Sequence, residues 1–259
     1  MNESVIIVGC GNIGTLLYGE YKKMNPHRYD PWKGYLEKED GKEYDLAFIA
    51  VDTPMMEDGS CDLSKVRRAI DETKAKTIVL RSTVPVGTTD TLRAETGKDI
   101  VFCPEFYGTT QHCDHKSFDF NYTIIGGEPA SREKVIQFLQ KVYDARHRFV
   151  QVDAKTAELS KYMANTMLAA KVSLCVQFWE IAQQFGINYA EVRECVLQDE
   201  RFSRAHTFVY SDKPYWKSHC FDKDLPALTK FADAPLIQAV IDYNEKCKKS
   251  YVDAKSQEA

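Results

Sequence analysis

The stretch SVIIVGCGNIGTLL, residues 4–17, decides how the whole chain is read. An apolar, β-type run ends at Val8, three glycines follow in GxGxxG spacing at Gly9, Gly11 and Gly14, and a helical pattern opens directly after them. Each glycine has a separate physical reason. Gly9 permits a tight turn, Gly11 lets backbone N–H groups approach a pyrophosphate, and Gly14 lets helix and strand pack closely. The helix N-terminus then faces the anion, so Asn12 and Ile13 belong to the same expected dinucleotide site. A glycine triplet alone is weak evidence; its place between strand and helix is what gives it weight.

A ribose-binding carboxylate is expected about 20 positions further on. Asp30, in HRYDPWKG, fits the end of a second strand. Its charge repels a 2'-phosphate, which favours NAD over NADP, while Arg28 and Lys33 nearby pull the other way. Lys33 is counted with the cofactor residues. A plainer alternative is that Asp30 is a turn residue ahead of Pro31.

Working outward, short β-rich runs alternate with helical patterns up to about residue 152: SVIIV, LAFIAV, TIVLRS, DIVFCP, YTIIGG and RFVQV. DLSKVRRAIDETK and SREKVIQFLQKVY carry apolar residues at three and four spacing, as helices laid on a sheet do. The fold class is α/β, a Rossmann-type, doubly wound, mostly parallel sheet followed by an all-helical domain. The expected boundary divides residues 1–153, the NAD-binding domain, from 154–259, a helical dimerisation and substrate domain. That second part opens with one long helix over residues 154–186, stopped by Gly186. Further helices are expected at YAEVRECVLQ and APLIQAVIDYNEKCKKSY, with an irregular piece from about 200 to 226 and a frayed tail at DAKSQEA.

Composition narrows the function. The chain has 259 residues, 44% of them hydrophobic, and a formal net charge of -4 without clustered basic residues. Nucleic acid and anionic membrane are therefore not expected partners; a small molecule is. The opening residues lack a basic n-region and a full apolar h-region, no run reaches membrane-spanning length, and a cytoplasmic protein is expected. Eight cysteines include no CxxC pair, so neither a metal site nor a disulfide framework is expected, and most should be buried small hydrophobes.

FIAVDTP, RSTVPVGTT, FCPEF, AELSKYMANTMLAAK and CFDKD follow the glycine loop in order. Together they resemble the UDP-glucose/GDP-mannose dehydrogenase family, and the likeness spans residues 9–224. The resemblance implies an NAD-dependent enzyme that oxidises the C6 alcohol of a sugar nucleotide to the acid, through an aldehyde and a cysteine thioester. It makes Cys220 the nucleophile, Lys161 the oxyanion-stabilising lysine and Asn165 its partner on the substrate or a water. It makes Asp224 the carboxylate that orders the catalytic water, and Glu105 the acid/base group. Thr83 becomes a contact to water or nicotinamide, and Val51, Thr53, Ser82, Thr83 and Glu105 fall to the cofactor side. Lys223 joins Lys161 and Asn165 with the substrate. On spacing alone Lys161 and Asn165 read first as an ordinary surface pair, four apart on one helix face. The chemistry agrees with the residue types independently: a thiolate adds to an aldehyde, hydride loss from the adduct gives a thioester, and water opens it.

Three departures stand out. Where the family has a glycine-rich GFGG loop, YWKS at 215–218 is expected to fill the space with side chains. GYLEKEDGKEYD replaces a longer insertion. The family's third, C-terminal nucleotide-binding domain is expected to be missing. The long helix, roughly 45 Å at 1.5 Å per residue, carries apolar residues on more than one face, so a homodimer through it is expected, unless the later helices cover it. Two other functions fit parts of the chain. One is a two-electron dehydrogenase of the 3-hydroxyacid type, which pairs the same two kinds of domain but needs no thiol. The other is a non-catalytic NAD-binding protein that has lost its substrate pocket.

Overall fold

The computed structural model describes residues 3–109, 114–115, 121–218 and 220–257. The chain divides into two compact units, Met1–Lys161 and Tyr162–Ala259.

In the first unit strands and helices alternate as β1 (Val5–Val8), α1 (Asn12–Glu20), β2 (His27–Asp30), β3 (Tyr35–Leu36), β4 (Tyr44–Ile49), α2 (Ser64–Glu72), β5 (Ala75–Leu80), α3 (Thr88–Thr96) and β6 (Ile100–Phe102). A small antiparallel pair, β7 (Gly108–Thr109) and β8 (Asp114–His115), precedes β9 (Tyr122–Gly126), α4 (Pro129–Val142) and β10 (Arg148–Val152). The main sheet has the order β10-β9-β6-β5-β4-β1-β2-β3. Neighbours from β2 across to β6 are parallel; β9 meets β6 antiparallel and then pairs in parallel with β10. β3, which no alternating run in GYLEKEDGKEYD announces, adds antiparallel to β2.

Strand β1 shows why the sheet is covered on both faces. Ile6 and Val8 join a core layer with Val66 and Ile70 of α2 and Leu92 of α3, while Val5 and Ile7 join another with Leu17 of α1 and Phe138 of α4. A strand apolar at every position is what burial between two helix layers requires. The turn that follows is equally constrained. Gly9 has φ +89°, and a Cβ there would lie 2.6 Å from the Ala50 carbonyl oxygen; a Cβ at Gly14 would lie 1.8 Å from the Gly9 carbonyl oxygen.

The long helix α5 (Ala154–Gln184) begins in the first unit and continues into the second. The division falls at Lys161 because the first turns of α5 are bound to the sheet. Ala157 lies in the α2–α3 core layer, and Glu158 accepts hydrogen bonds from the N–H groups of Gly87 (2.5 Å) and Thr89 (2.8 Å) at the start of α3. A carboxylate there complements the helix dipole.

The second unit holds the rest of α5, with α6 (Tyr189–Val196), α7 (Phe221–Phe231) and α8 (Pro235–Gln257). Gly186, at φ +65°, stops α5 as expected. Ala169, Trp216 and Leu225 form the core, joined by Val172, Phe221, Ile237 and Val240. Two expectations are corrected. Residues 221–226 are helical, not irregular: α7 runs through Pro226 because Leu225, Ala227 and Leu228 are buried and Asp222 and Asp224 sit in its first turn. Packing and a favourable N-terminus override the proline penalty. The tail DAKSQEA does not fray from its start, since α8 runs to Gln257.

Candidate active site

The glycine loop is built for an anion from outside the chain. Gly11 caps α1 with no side-chain hydrogen bond, and a Cβ added to it would meet nothing within 4 Å. The backbone at Gly11 is thus open to the close approach that a pyrophosphate on such a loop needs. A cavity of about 650 Å³ opens beside it, lined among others by Cys10, Gly11, Asn12, Thr15 and Lys33. Asn12 is exposed there, while Ile13 packs onto the α1–α4 core layer and contributes backbone. Helix α1 leaves its first N–H groups without intrahelical partners, the donors a pyrophosphate takes.

Asp30 closes β2, and its Oδ2 accepts the Cys10 N–H at 2.8 Å, while Lys33 Nζ donates to the Cys10 carbonyl at 3.0 Å. One residue of the loop is thus held at both its N–H and its carbonyl by Asp30 and Lys33. The Cys10 thiol itself is pushed up to about 11 by burial, then by Asp30, and stays protonated. Arg28, the residue that argued for NADP, is engaged by Glu37.

Past the C-terminal ends of the central strands β4 and β5, Thr53 Oγ1 donates to the Thr83 carbonyl at 2.8 Å and Ser82 Oγ to the Val51 carbonyl at 2.6 Å. These bonds stitch the loops after β4 and β5 together, so the hydroxyls of Thr53 and Ser82 are spent on backbone and Val51 packs on the core. Glu105, 5% exposed, pairs with the buried Arg81, and its Oε1 accepts the N–H groups of Phe106 (2.8 Å) and Tyr107 (3.0 Å). Both carboxylate oxygens are engaged. Lys161, also 5% exposed, has its Nζ 5.2 Å from the centre of the Phe106 ring. Nothing in the sequence tied Arg81 to Glu105; the letter before STVP is informative only once the fold brings it under the PEF turn.

In the second unit, Asn165 Nδ2 donates to Asp224 Oδ2 at 2.6 Å and Lys223 Nζ to Asp224 Oδ1 at 2.5 Å. Asp224 is 1% exposed. Asn165 is therefore no surface residue: it reaches across to the CFDKD segment. Cys220 is half-buried and stands at the N-terminus of α7, one residue before its first turn. Upstream, Trp216 does not fill a groove as expected of YWKS but turns into the core. Its N–H donates to Asn244 Oδ1 (2.9 Å), its carbonyl accepts from Asn244 Nδ2 (3.1 Å), and its indole donates to Ser173 (3.0 Å). Asn244 gave no sign in the sequence. Among the described residues no cluster of His, Cys, Asp and Glu can hold a metal ion.

A glycine loop on an uncapped helix and a carboxylate at the end of β2 define a Rossmann-type dinucleotide-binding fold, and the helical unit holds the buried Asp224 between Asn165 and Lys223. The chain belongs to the UDP-glucose/GDP-mannose dehydrogenase family: residues 35–147 match its NAD-binding domain and residues 155–246 its central domain. The cofactor is NAD. The UDP-glucose 6-dehydrogenase TuaD of Bacillus subtilis is 31% identical over 81% of this chain and 48% of its own length. The chain thus spans about half the length of that curated relative. The solved UDP-D-ManNAc dehydrogenase of Pyrococcus horikoshii has the same fold, with TM-score 0.77, 23% identity and coverage of 94% of this chain and 68% of that one. So has the 3-hydroxyisobutyrate dehydrogenase of Mycobacterium tuberculosis, at TM-score 0.66, 14% identity, and 96% and 94% coverage. Fold alone therefore does not separate a thiol-dependent from a thiol-free oxidation.

Proposed function

We propose that this chain oxidises the C6 alcohol of a nucleotide sugar to the carboxylate through a thioester on Cys220. The observation that carries this is a half-buried cysteine at a helix N-terminus, which a simple alcohol oxidation does not require, beside a buried Asp224 held by Asn165 and Lys223. NAD, when bound, accepts one hydride in each of two oxidations. In the first, the alcohol carbon loses hydride and its oxygen loses a proton to a water held at Asp224. Cys220 thiolate then adds to the aldehyde carbon, and Lys161 and Lys223 stabilise the alkoxide that forms. Hydride loss from this thiohemiacetal leaves the thioester. Water ordered by Asp224 and Asn165 attacks it, expelling Cys220 as thiolate and releasing the acid.

Glu105 is assigned a different task from the acid/base role the resemblance implied. With Arg81 on one oxygen and two N–H groups on the other, it fixes the turn that presents Phe106 to Lys161. Thr83 offers its carbonyl to Thr53 and orients the loop at the nicotinamide side.

The working form is a homodimer. Met163, Met167, Leu174, Phe178 and Ile181 are exposed along α5 at spacings of three, four and seven, and exposed Phe185 follows just past its end. That apolar stripe is roughly 27 Å long at 1.5 Å per residue, more than a lone soluble helix leaves in water without a partner. No helix among the described residues is long and apolar enough to cross a membrane. The free cysteines suit a reducing compartment, the cytoplasm.

The test is stoichiometry. With NAD and a panel of nucleotide sugars, two reduced cofactors should form per sugar consumed, and Cys220→Ser should stop at the aldehyde level. One reduced cofactor per sugar from the wild type, or two from the variant, removes the thioester route.

A further inference from the structure

Four charged side chains gather at the ribose end of the glycine loop: Arg28 and Asp30 on β2, Lys33 in the turn after it, and Glu37 just past β3. Asp30 and Lys33 bond to Cys10 of the loop, and Arg28 bonds to Glu37. Arg28 and Asp30 are two apart on one strand, so their side chains leave the same face with Cα atoms roughly 6.6 Å apart. Arg28 is thus within reach of the position where a 2'-phosphate would sit against Asp30.

Two of its three guanidinium nitrogens are already engaged. Nε (3.0 Å) and Nη2 (2.5 Å) donate to Glu37 Oε1, and the Arg28 backbone N–H donates to Glu37 Oε2 at 2.8 Å. The guanidinium carbon lies 4.2 Å from the centre of the Tyr18 ring and 4.4 Å from that of Tyr35, which hold it in this pose. The Arg28 hydrogen bond keeps the Glu37 carboxyl below the usual carboxylate range, so it stays charged. A fork of guanidinium N–H groups with a nearby backbone N–H is also what a phosphate monoester binds. Glu37 takes Nε, Nη2 and that backbone N–H from within the chain.

We propose that NAD is chosen over NADP by two carboxylates in series: Asp30 repels the 2'-phosphate, and Glu37 sequesters the arginine that would otherwise compensate it. Glu37 is a positioning residue, acting through Arg28 without touching the cofactor. This rests on the assignment of the glycine loop to a dinucleotide. Removing Asp30 alone leaves a phosphate facing an occupied arginine, and removing Glu37 alone leaves the freed arginine facing Asp30. The two changes together should therefore exceed their separate effects.

The experiment is calorimetric titration of NAD and of NADP into the wild type, Asp30→Ser, Glu37→Gln, the double variant, and the double variant with Arg28→Met. The expected result is that Glu37→Gln tightens NADP binding at least about tenfold in the Asp30→Ser background. Arg28→Met should abolish that gain. Because glutamine can still accept from Arg28, Glu37→Ala repeats the measurement, and thermal unfolding checks that β2 and β3 remain formed. An NADP affinity that neither Glu37 variant changes in the Asp30→Ser background overturns the proposal, and so does a gain that survives Arg28→Met. If the wild type binds neither dinucleotide, the loop assignment falls as well; if it binds NAD and the NADP affinity stays fixed, only the role of Glu37 falls.

Discussion

Glu105 in the first unit and Asp224 in the second are both buried carboxylates with both oxygens engaged, yet they are engaged by different kinds of partner. Glu105 is gripped by a buried arginine and two main-chain N–H groups. Asp224 is held by the amide of Asn165 and the amine of Lys223, two side chains. Main-chain donors cannot leave without undoing the turn they belong to. Side-chain donors can exchange a carboxylate for a water or a substrate oxygen at the cost of a rotamer change. The first arrangement suits a fixed support and the second a group that handles substrate.

The largest effect expected from breaking this contrast is at Arg81. Arg81→Met leaves Glu105 buried and unpaired, which should cost about 3–5 kcal/mol of stability, read as a fall in the denaturant midpoint at unchanged slope. Asp224→Asn should do the reverse. Turnover should drop by about 10²–10⁴, while stability falls by about 1–3 kcal/mol as one buried donor is left unsatisfied. Equal losses of stability at the two sites would dissolve the comparison. Glu105→Gln sharpens it. A support should lose stability and turnover together, with NAD affinity weakened, whereas a proton-handling group would lose turnover alone and one limb of the pH–rate profile with it.

A third buried carboxylate, Glu158, gives the smallest effect. Burial, its largest influence, raises its carboxyl above the ordinary 4.5 despite the bonds from Thr89 and Gly87. A raised carboxyl favours folding below its unfolded value, and that advantage fades as pH climbs through the folded value. The stability of the wild type relative to Glu158→Gln should therefore be greatest below pH 4.5 and decline above it. A pH-independent difference would mean that Glu158 ionises as easily in the folded chain as in the unfolded one.

Local patterns made the framework legible. The glycine loop, Asp30 at the end of β2, the sequence of buried strands and the glycine stop of α5 all follow from residues within a turn or two of one another. What stayed hidden depends on distance along the chain. Arg81 finds Glu105 24 residues away, and Asn244 finds Trp216 28 residues away, neither marked by any periodicity. Strand β3 is two residues long, too short for alternation to show, and is fixed by its pairing with Tyr29 and Asp30. Helix α7 was obscured because Pro226 is a local signal and the burial of Leu225 and Leu228 is not. The proposed catalytic set lies between these extremes: family resemblance pointed to its members, but the bond from Asn165 to Asp224 was visible only in the fold.

Asn244 treats the Trp216 peptide as a neighbouring strand would, taking its hydrogen and covering its oxygen. Residues 197–218 form no helix or strand of their own, so this grip from α8 orders the approach to Cys220. During translation that segment leaves the ribosome before its clasp does. The order of the loop before Cys220 is thus tied to a helix encoded after it.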